Sequence, residues 1–203
     1  FPATNIDPAL GGMSNLWAVV AGEVFSLYFI DEAKFLELEL PSSFTNYYKG
    51  PQLGINGTRE LLRVKDRPLM GAIIKPNLGL NPEEAAKVAS LLAAAGFDFV
   101  KDDEICVNAN ICPLQERVKL VAQALDRIQE HSGRKTLYMA DVTSDFASLG
   151  KAAEIALSAG ADGLMIDPFS IGLSSVDYLR RNFPCPVYLH RVGYGLFCSS
   201  SLS

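Results

Sequence analysis

Short apolar runs alternate with amphipathic segments from residue 70 onward. The runs predict strands because each is brief and ends in polar or charged residues; they cover 71–75, 97–100, 136–141, 163–167 and 187–191. Apolar residues recur at helical spacing between them, for example at Leu114, Val118, Val121, Leu125 and Ile128. Strands that alternate with helices predict a parallel sheet with right-handed crossovers.

Residues at the ends of the amphipathic segments predict where the helices begin and stop. Asn81 can cap the first of these helices, and Pro82 suits its first turn. Gly96 and Gly160 suit the left-handed backbone that often follows a helix. Besides the helix that contains Val118, the sequence therefore predicts helices over 81–96, 147–160 and 174–182.

Two architectures fit this order of elements, an open doubly wound sheet and a closed (β/α)8 barrel. We favour the barrel, because no GxGxxG or GxxxxGK[ST] phosphate loop follows the first strand. About five strand–helix units are present and the chain stops just after the fifth strand. The predicted fold class is therefore α/β, a partial (β/α)8 TIM barrel, with function expected at the carboxyl ends of the strands.

The first 69 residues have a different pattern. We interpret 1–40 as the end of an α+β, ferredoxin-like domain, because "KFLELELP" (34–41) alternates Leu with Glu as a half-exposed strand does. Pro and Gly residues then punctuate 41–69, which we interpret as a connector with one short helix near "TRELLRV". The barrel portion is expected over 70–203.

Composition narrows the classes of function. The formal net charge is −5 and no basic run occurs, which argues against nucleic acid or acidic membranes as partners. The four cysteines form no CxxC pair and only two histidines occur, so a thiolate zinc site is not expected. Reduced thiols are typical of a cytoplasmic protein, which is the location that we predict.

The segment "FVKDDE" (99–104) places four charges at the end of the second strand. Alternate residues of a strand share a face, so Lys101 and Asp103 are expected to point together, while Glu104 can turn inward from the loop. Two carboxylates suit Mg²⁺, and a lysine that reacts with CO2 would add a carbamate oxygen. A salt-bridged cluster without a metal is the alternative.

Lys75 ends the first strand. In a semi-buried mouth, where burial lowers its pKa, a lysine can act as acid or base. The alternative is a lysine that only reaches solvent. The other predicted strand ends also carry polar side chains, namely Asp141, Asp167 and His190 with Arg191.

These residues carry a family resemblance over essentially the whole chain. "GAIIKPNLGL" followed by "KDDE" resembles the large chain of ribulose-bisphosphate carboxylase (RuBisCO) and the RuBisCO-like proteins (form IV). The stretches "NIDP", "VAGEVF", "YKGPQLGINGTRELL", "HSG", "IDPFSIGLS" and "LHR" are similar to this family as well.

The resemblance implies roles for the residues at the strand ends. It implies that Lys101 is carbamylated by CO2 and binds Mg²⁺ with Asp103 and Glu104. It implies that Lys75 is the acid/base lysine and that His190 and Arg191 contact a phosphorylated substrate. The catalytic residues that it implies are Lys75, Lys101 and His190. It also implies a homodimer or higher homo-oligomer, in which the N-terminal domain of one subunit completes the site of the other.

Four positions depart from the pattern of the carboxylases. Asn77 stands where they have a second lysine, Glu23 where they have asparagine, and Ile166 and Tyr194 where they have histidines. Mg²⁺ with one base is sufficient to abstract a proton next to a ketone, whereas CO2 addition and cleavage need more groups. The departures resemble the RuBisCO-like proteins.

The sequence therefore predicts a RuBisCO-like enzyme that enolises or isomerises a phosphorylated keto-sugar. The 2,3-diketo-5-methylthiopentyl-1-phosphate enolase of methionine salvage is one such type. A genuine ribulose-bisphosphate carboxylase and a non-catalytic family member remain alternatives. Because the barrel is incomplete, we expect the isolated 203 residues to bind Mg²⁺ weakly and to turn over no substrate.

Overall fold

Five parallel strands form the centre of the chain. The computed structural model describes residues 5–31, 33 and 35–195, and its strands follow one another across the sheet in chain order. They are β1 (Gly71–Ile73), β2 (Phe99–Lys101), β3 (Leu137–Asp141), β4 (Gly163–Ile166) and β5 (Val187–Leu189). The sheet is a parallel half-barrel, which confirms the predicted fold class, and all five predicted strands are present.

Helices follow each of the first four strands. The helices are α1 (Gly12–Val20), α2 (Ser42–Thr45), α3 (Gly54–Leu62), α4 (Pro82–Ala94), α5 (Leu114–Ser132), α6 (Phe146–Ser158), α7 (Pro168–Ile171) and α8 (Ser174–Asn182). The short α7 was not predicted. Among the described residues, no helix is long and apolar enough to cross a membrane.

The first predicted helix begins where its sequence indicates. Asn81 Oδ1 accepts a hydrogen bond from the Glu84 amide, and Glu84 Oε2 accepts one from the Asn81 amide, at 2.9 Å each. This reciprocal capping box satisfies two backbone donors that α4 would otherwise leave unpaired. Gly96, with φ of 95°, provides the left-handed backbone after the helix.

Alternate residues of the strands enter two separate apolar clusters. Val100, Tyr138 and Leu164 face the helices and join the larger cluster with buried alanines of α4 and α6. Leu137, Met139 and Met165 face the inside of the half-barrel, where Leu62 of α3 packs against them. The period of two therefore decides which side chains at the strand ends point inward.

The N-terminal region corrects one prediction. The strand predicted over "KFLELELP" does not form in the part described: residues 35–40 have no regular secondary structure and are mostly exposed, while Lys34 lies outside the described residues. Alternation alone does not make a strand when no partner strand supplies hydrogen bonds. The short helix predicted in the connector is confirmed as α3. The domain boundaries at 40 and 69 remain a prediction.

Candidate active site

Inward-facing polar residues gather at the carboxyl ends of the strands. Lys101 and Asp141 continue the inward alternation of Phe99, Leu137 and Met139. The same alternation runs through Met165 to Asp167 and through Tyr188 to His190. The structure therefore assembles the strand-end residues that the sequence singled out; they are Lys75, Lys101, Asp103, Glu104, Asp141, Asp167 and His190.

Lys101 is buried at the end of β2, with only 8% of its surface exposed. Its ammonium donates to the carbonyl of Asp102 at 3.1 Å. Burial lowers the pKa of Lys101, against the opposing effect of Glu104 and the other nearby carboxylates. A lowered pKa increases the share of neutral amine, which is the form that reacts with CO2.

Glu104 leaves one oxygen without a partner. Its Oε2 is buried and makes no hydrogen bond within the described residues, and His190 Nε2 lies 3.7 Å away. A buried oxygen left unsatisfied is costly unless something binds it. The residues therefore fit a hard cation, although the described residues hold no ready group of three His, Cys, Asp or Glu ligands. A carbamate on Lys101 would supply a third protein oxygen.

Lys75 forms an ion pair with Asp103 across the ends of β1 and β2. The Lys75 side chain is half exposed, and the hydrogen bond to Asp103 raises its pKa. The expectation that burial lowers the pKa of Lys75 is therefore wrong in this arrangement, because the carboxylate beside it favours the charged form. The sequence did not predict this pairing; alternation along β2 predicted only that Lys101 and Asp103 would point together.

His190 lies between two carboxylates. Its Nδ1 is 3.0 Å from Asp167 Oδ1, on the neighbouring strand end, and its other nitrogen faces Glu104. Burial raises the pKa of Asp167, and the contact with His190 opposes that effect. The imidazole is thus fixed in orientation, with one nitrogen directed toward the proposed ligands.

Asp141 is a fully buried carboxyl at the end of β3. Its Oδ1 accepts from the Thr143 hydroxyl at 2.6 Å and from the Thr143 amide at 2.9 Å, but Oδ2 has no partner among the described residues. Burial raises the pKa of Asp141 to about 7 in spite of these two bonds.

Asp102 points away from the site, which the sequence interpretation did not distinguish. It faces the helices, where it pairs with buried Arg117 of α5 at 3.1 Å and accepts from the Tyr138 hydroxyl at 2.7 Å. The four charges of "KDDE" are therefore divided between the two faces of the sheet. The sequence contains an indication that Arg117 is buried. It lies three residues after Leu114 and four before Val121, on the apolar side of its helix, where a charged side chain needs a partner of opposite charge.

Other residues singled out by sequence lie at the periphery. Arg191 follows β5 and is exposed, and no salt bridge joins it to a carboxylate of the described chain. Asn77 and Glu23 are exposed as well. Tyr194 lies against Phe169, with 6.3 Å between ring centroids, and Ile166 is fully buried.

Comparisons with known proteins place this geometry in a family. Residues 54–202 match the model of the ribulose bisphosphate carboxylase large chain, catalytic domain. A relative from Xanthobacter autotrophicus, a 3-oxo-isoapionate-4-phosphate transcarboxylase/hydrolase, is 37% identical over 195 residues, which cover 96% of this chain and 46% of that protein.

Solved structures agree with the sequence match. A rubisco-like protein from Burkholderia fungorum superposes with a TM-score of 0.91 at 38% identity, covering 98% of this chain and 48% of that one. A dimeric archaeal Rubisco from Hyperthermus butylicus gives a TM-score of 0.89 at 29% identity, covering 97% and 46%. The chain spans about half the length of the relatives that it matches. It belongs to the ribulose bisphosphate carboxylase large-chain family.

Proposed function

We propose that the full-length protein is a RuBisCO-like enzyme that enolises or isomerises a phosphorylated keto-sugar with the help of Mg²⁺. The observation that carries the proposal is the inward cluster at the end of β2. It combines a buried lysine, Lys101, with Asp103 and with a buried Glu104 oxygen that makes no hydrogen bond to any described residue. Such a cluster is suited to a cation held by oxygens.

Lys101 as a carbamate, Asp103 and Glu104 would hold the Mg²⁺. A bound cation would supply Lewis-acid stabilisation of negative charge on a substrate oxygen. Lys75 already reaches Asp103 and so stands beside the place where a substrate carbonyl would lie. Its role in the proposal is to move the proton on the adjacent carbon.

His190 and Arg191 complete the set on the side of β5. With Nδ1–H donating to Asp167, His190 keeps a lone pair on Nε2 that can accept a proton from a substrate hydroxyl. The exposed guanidinium of Arg191 suits a phosphate, because its planar fork binds two oxygens at once.

A phosphorylated keto substrate is supported by the relative from Xanthobacter autotrophicus, whose name describes an oxo-sugar acid phosphate. The alternative is a genuine carboxylase, which the similarity to archaeal Rubisco favours. Asn77 and Glu23 argue against it, because an amide cannot carry the charge of lysine and a carboxylate repels an anionic substrate. A non-catalytic role is less consistent with a preserved cluster of Lys101, Asp103 and Glu104.

The assembly and location are part of the proposal. The archaeal Rubisco with the same fold is dimeric, which supports a homodimer or a higher homo-oligomer for this protein. We propose that the N-terminal region of one subunit contributes to the site of the other. Free cysteines at 106, 112 and 185 are consistent with the predicted cytoplasmic location.

The test uses the full-length protein activated with CO2 and Mg²⁺. One arm supplies ribulose 1,5-bisphosphate with labelled bicarbonate, and the other supplies methylthio-sugar phosphates in D2O. We expect deuterium exchange or isomerisation without fixed label. Label in phosphoglycerate would instead identify a carboxylase.

The same assay applied to Lys101→Ala tests the metal site. We expect Mg²⁺-dependent turnover to disappear, because the variant can form no carbamate. Lys119→Ala, at an exposed position of α5, is the matched control and should retain turnover. Normal turnover by Lys101→Ala would exclude the proposed site.

A further inference from the structure

Asp102 is the hub of a buried polar network behind the proposed metal site. Its Oδ2 accepts from Arg117 Nε at 3.2 Å, from Arg117 Nη2 at 3.1 Å and from the Asp141 amide at 3.0 Å. Its Oδ1 accepts from the Tyr138 hydroxyl. The network joins the end of β2 to β3 and to α5, and its members are almost completely buried.

Arg117 extends this network to the loop that follows Glu104. Nη2 donates to the carbonyl of Val107 at 2.8 Å and Nη1 to that of Cys112 at 3.0 Å, while Nη1 lies 3.8 Å from Cys106 Sγ. One side chain therefore contacts both the Lys-Asp-Asp-Glu segment and two separated points of the loop 105–113. Glu104 lies between these anchors in the chain.

The loop has little other support. No helix or strand lies between Lys101 and Leu114, and the other hydrogen bonds of residues 105–113 are short-range, such as the one from the Leu114 amide to Asn108 Oδ1 at 2.9 Å. The backbone at Asp103 and Glu104 is therefore held mainly by pairing at β2 on one side and by Arg117 on the other.

We infer that Arg117 is a positioning residue for the metal site, an inference that rests on the proposed function. It fixes the backbone that presents Asp103 and Glu104, although its own side chain lies on the opposite face of the sheet. Arginine is required because three of its nitrogens donate at once in a planar fork, whereas the single nitrogen of lysine cannot span Asp102 and both loop carbonyls.

The test compares Arg117→Lys and Arg117→Met with the wild type in the full-length protein. Arg67→Met is the matched control, because Arg67 binds both oxygens of Asp98, at 2.6 Å each, at the other end of the same strand. Titration calorimetry in CO2-saturated buffer measures the Kd for Mg²⁺. Hydrogen–deuterium exchange measures protection of the amides of residues 104–113.

We expect Arg117→Lys to weaken Mg²⁺ binding by about tenfold or more, as loss of outer-shell support does in metal sites, and to speed exchange in 104–113. Arg67→Met should leave both values near those of the wild type. Arg117→Lys keeps a positive charge beside Asp102. It therefore remains informative if Arg117→Met fails to fold. Faster exchange with unchanged Mg²⁺ affinity would overturn the positioning role.

The two proposals fail in different ways. If the wild-type protein binds no Mg²⁺, the proposed function fails, and the exchange experiment still decides whether Arg117 orders the loop. Protection of 104–113 that is unchanged in both Arg117 variants overturns the inference whatever the metal result.

Discussion

Lys75 and Asp103 form an ion pair across the ends of β1 and β2. A variant of Lys75 therefore tests its role in proton transfer and its effect on Asp103. Replacing Lys75 with Met removes the proposed proton-transfer group. We expect substrate proton exchange to fall by about 10²–10⁴-fold, the usual contribution of a general acid or base. Mg²⁺ affinity should persist, because Asp103 loses only a competing cation.

The control for this prediction is Lys65→Met, an exposed lysine in the connector. It should exchange substrate protons at the wild-type rate. Undiminished exchange by Lys75→Met would remove Lys75 from the mechanism.

The raised pKa of Asp141 leads us to expect that stability changes with pH. Its pKa rises from 3.8 to about 7 on folding, so the folded state holds the proton more tightly and this contribution to stability is lost as the pH rises through that interval. At about 1.4 kcal/mol per pKa unit, the loss is at most about 4 kcal/mol. Asp141→Asn cannot ionise and keeps the Oδ1 acceptor for Thr143, so it should gain stability over the wild type as the pH rises from 4 to 7.

Thermal unfolding of the full-length protein without Mg²⁺ and CO2 measures this effect. Asp66→Asn, at an exposed carboxylate, is the control and should follow the wild-type curve. A difference between Asp141→Asn and the wild type that stays constant from pH 4 to pH 8 would contradict the prediction.

The contribution of the N-cap of α4 to the free energy of unfolding can be measured. Asn81→Ala removes the side-chain half of the capping box, and we expect the free energy of unfolding to fall by about 1 kcal/mol. Asn56→Ala, at an exposed position inside α3, makes the same chemical change without a cap and should be neutral or slightly stabilising. Urea unfolding of both variants checks the difference; equal effects would contradict the role of the cap.

Elements with their own local signals were predictable from sequence. The cap at Asn81 and the left-handed Gly96 are local features, and both are present as expected. The strand expected at "KFLELELP" failed because a strand depends on a distant partner, which alternation does not reveal.

The candidate site was also predictable in part. Strand ends and alternation located Lys101 and Asp103 on one face. The pairing of Asp102 with Arg117 and Tyr138 was not foreseen, because it joins residues that only the assembled sheet and helix bring together.

At the scale of the whole molecule, the edges of the described sheet are β1 and β5. Within the described residues, β1 and β5 are each paired on one side only, and Leu189 of β5 is 50% exposed. Unpaired parallel edges invite association with other chains. We expect these 203 residues, expressed alone, to self-associate on size-exclusion chromatography.

Leu189→Lys should shift this material toward monomer, because a charge on an edge strand disfavours pairing. Leu91→Lys, at a 63% exposed position of α4 away from the edges, should change little. A monodisperse monomer at high concentration would contradict the prediction.

The chain-order arrangement of the strands also bears on how the protein is made. Gly71 pairs with Phe99, Phe99 with Leu137, Met139 with Gly163 and Leu164 with Val187, so each strand joins the one synthesised just before it. On a ribosome, every newly emerged strand finds its partner already in place, and no strand of this half needs to wait for a later neighbour. The half-barrel can therefore grow from β1 toward β5 during translation, and His190 comes to lie beside Asp167 once β5 has paired with β4.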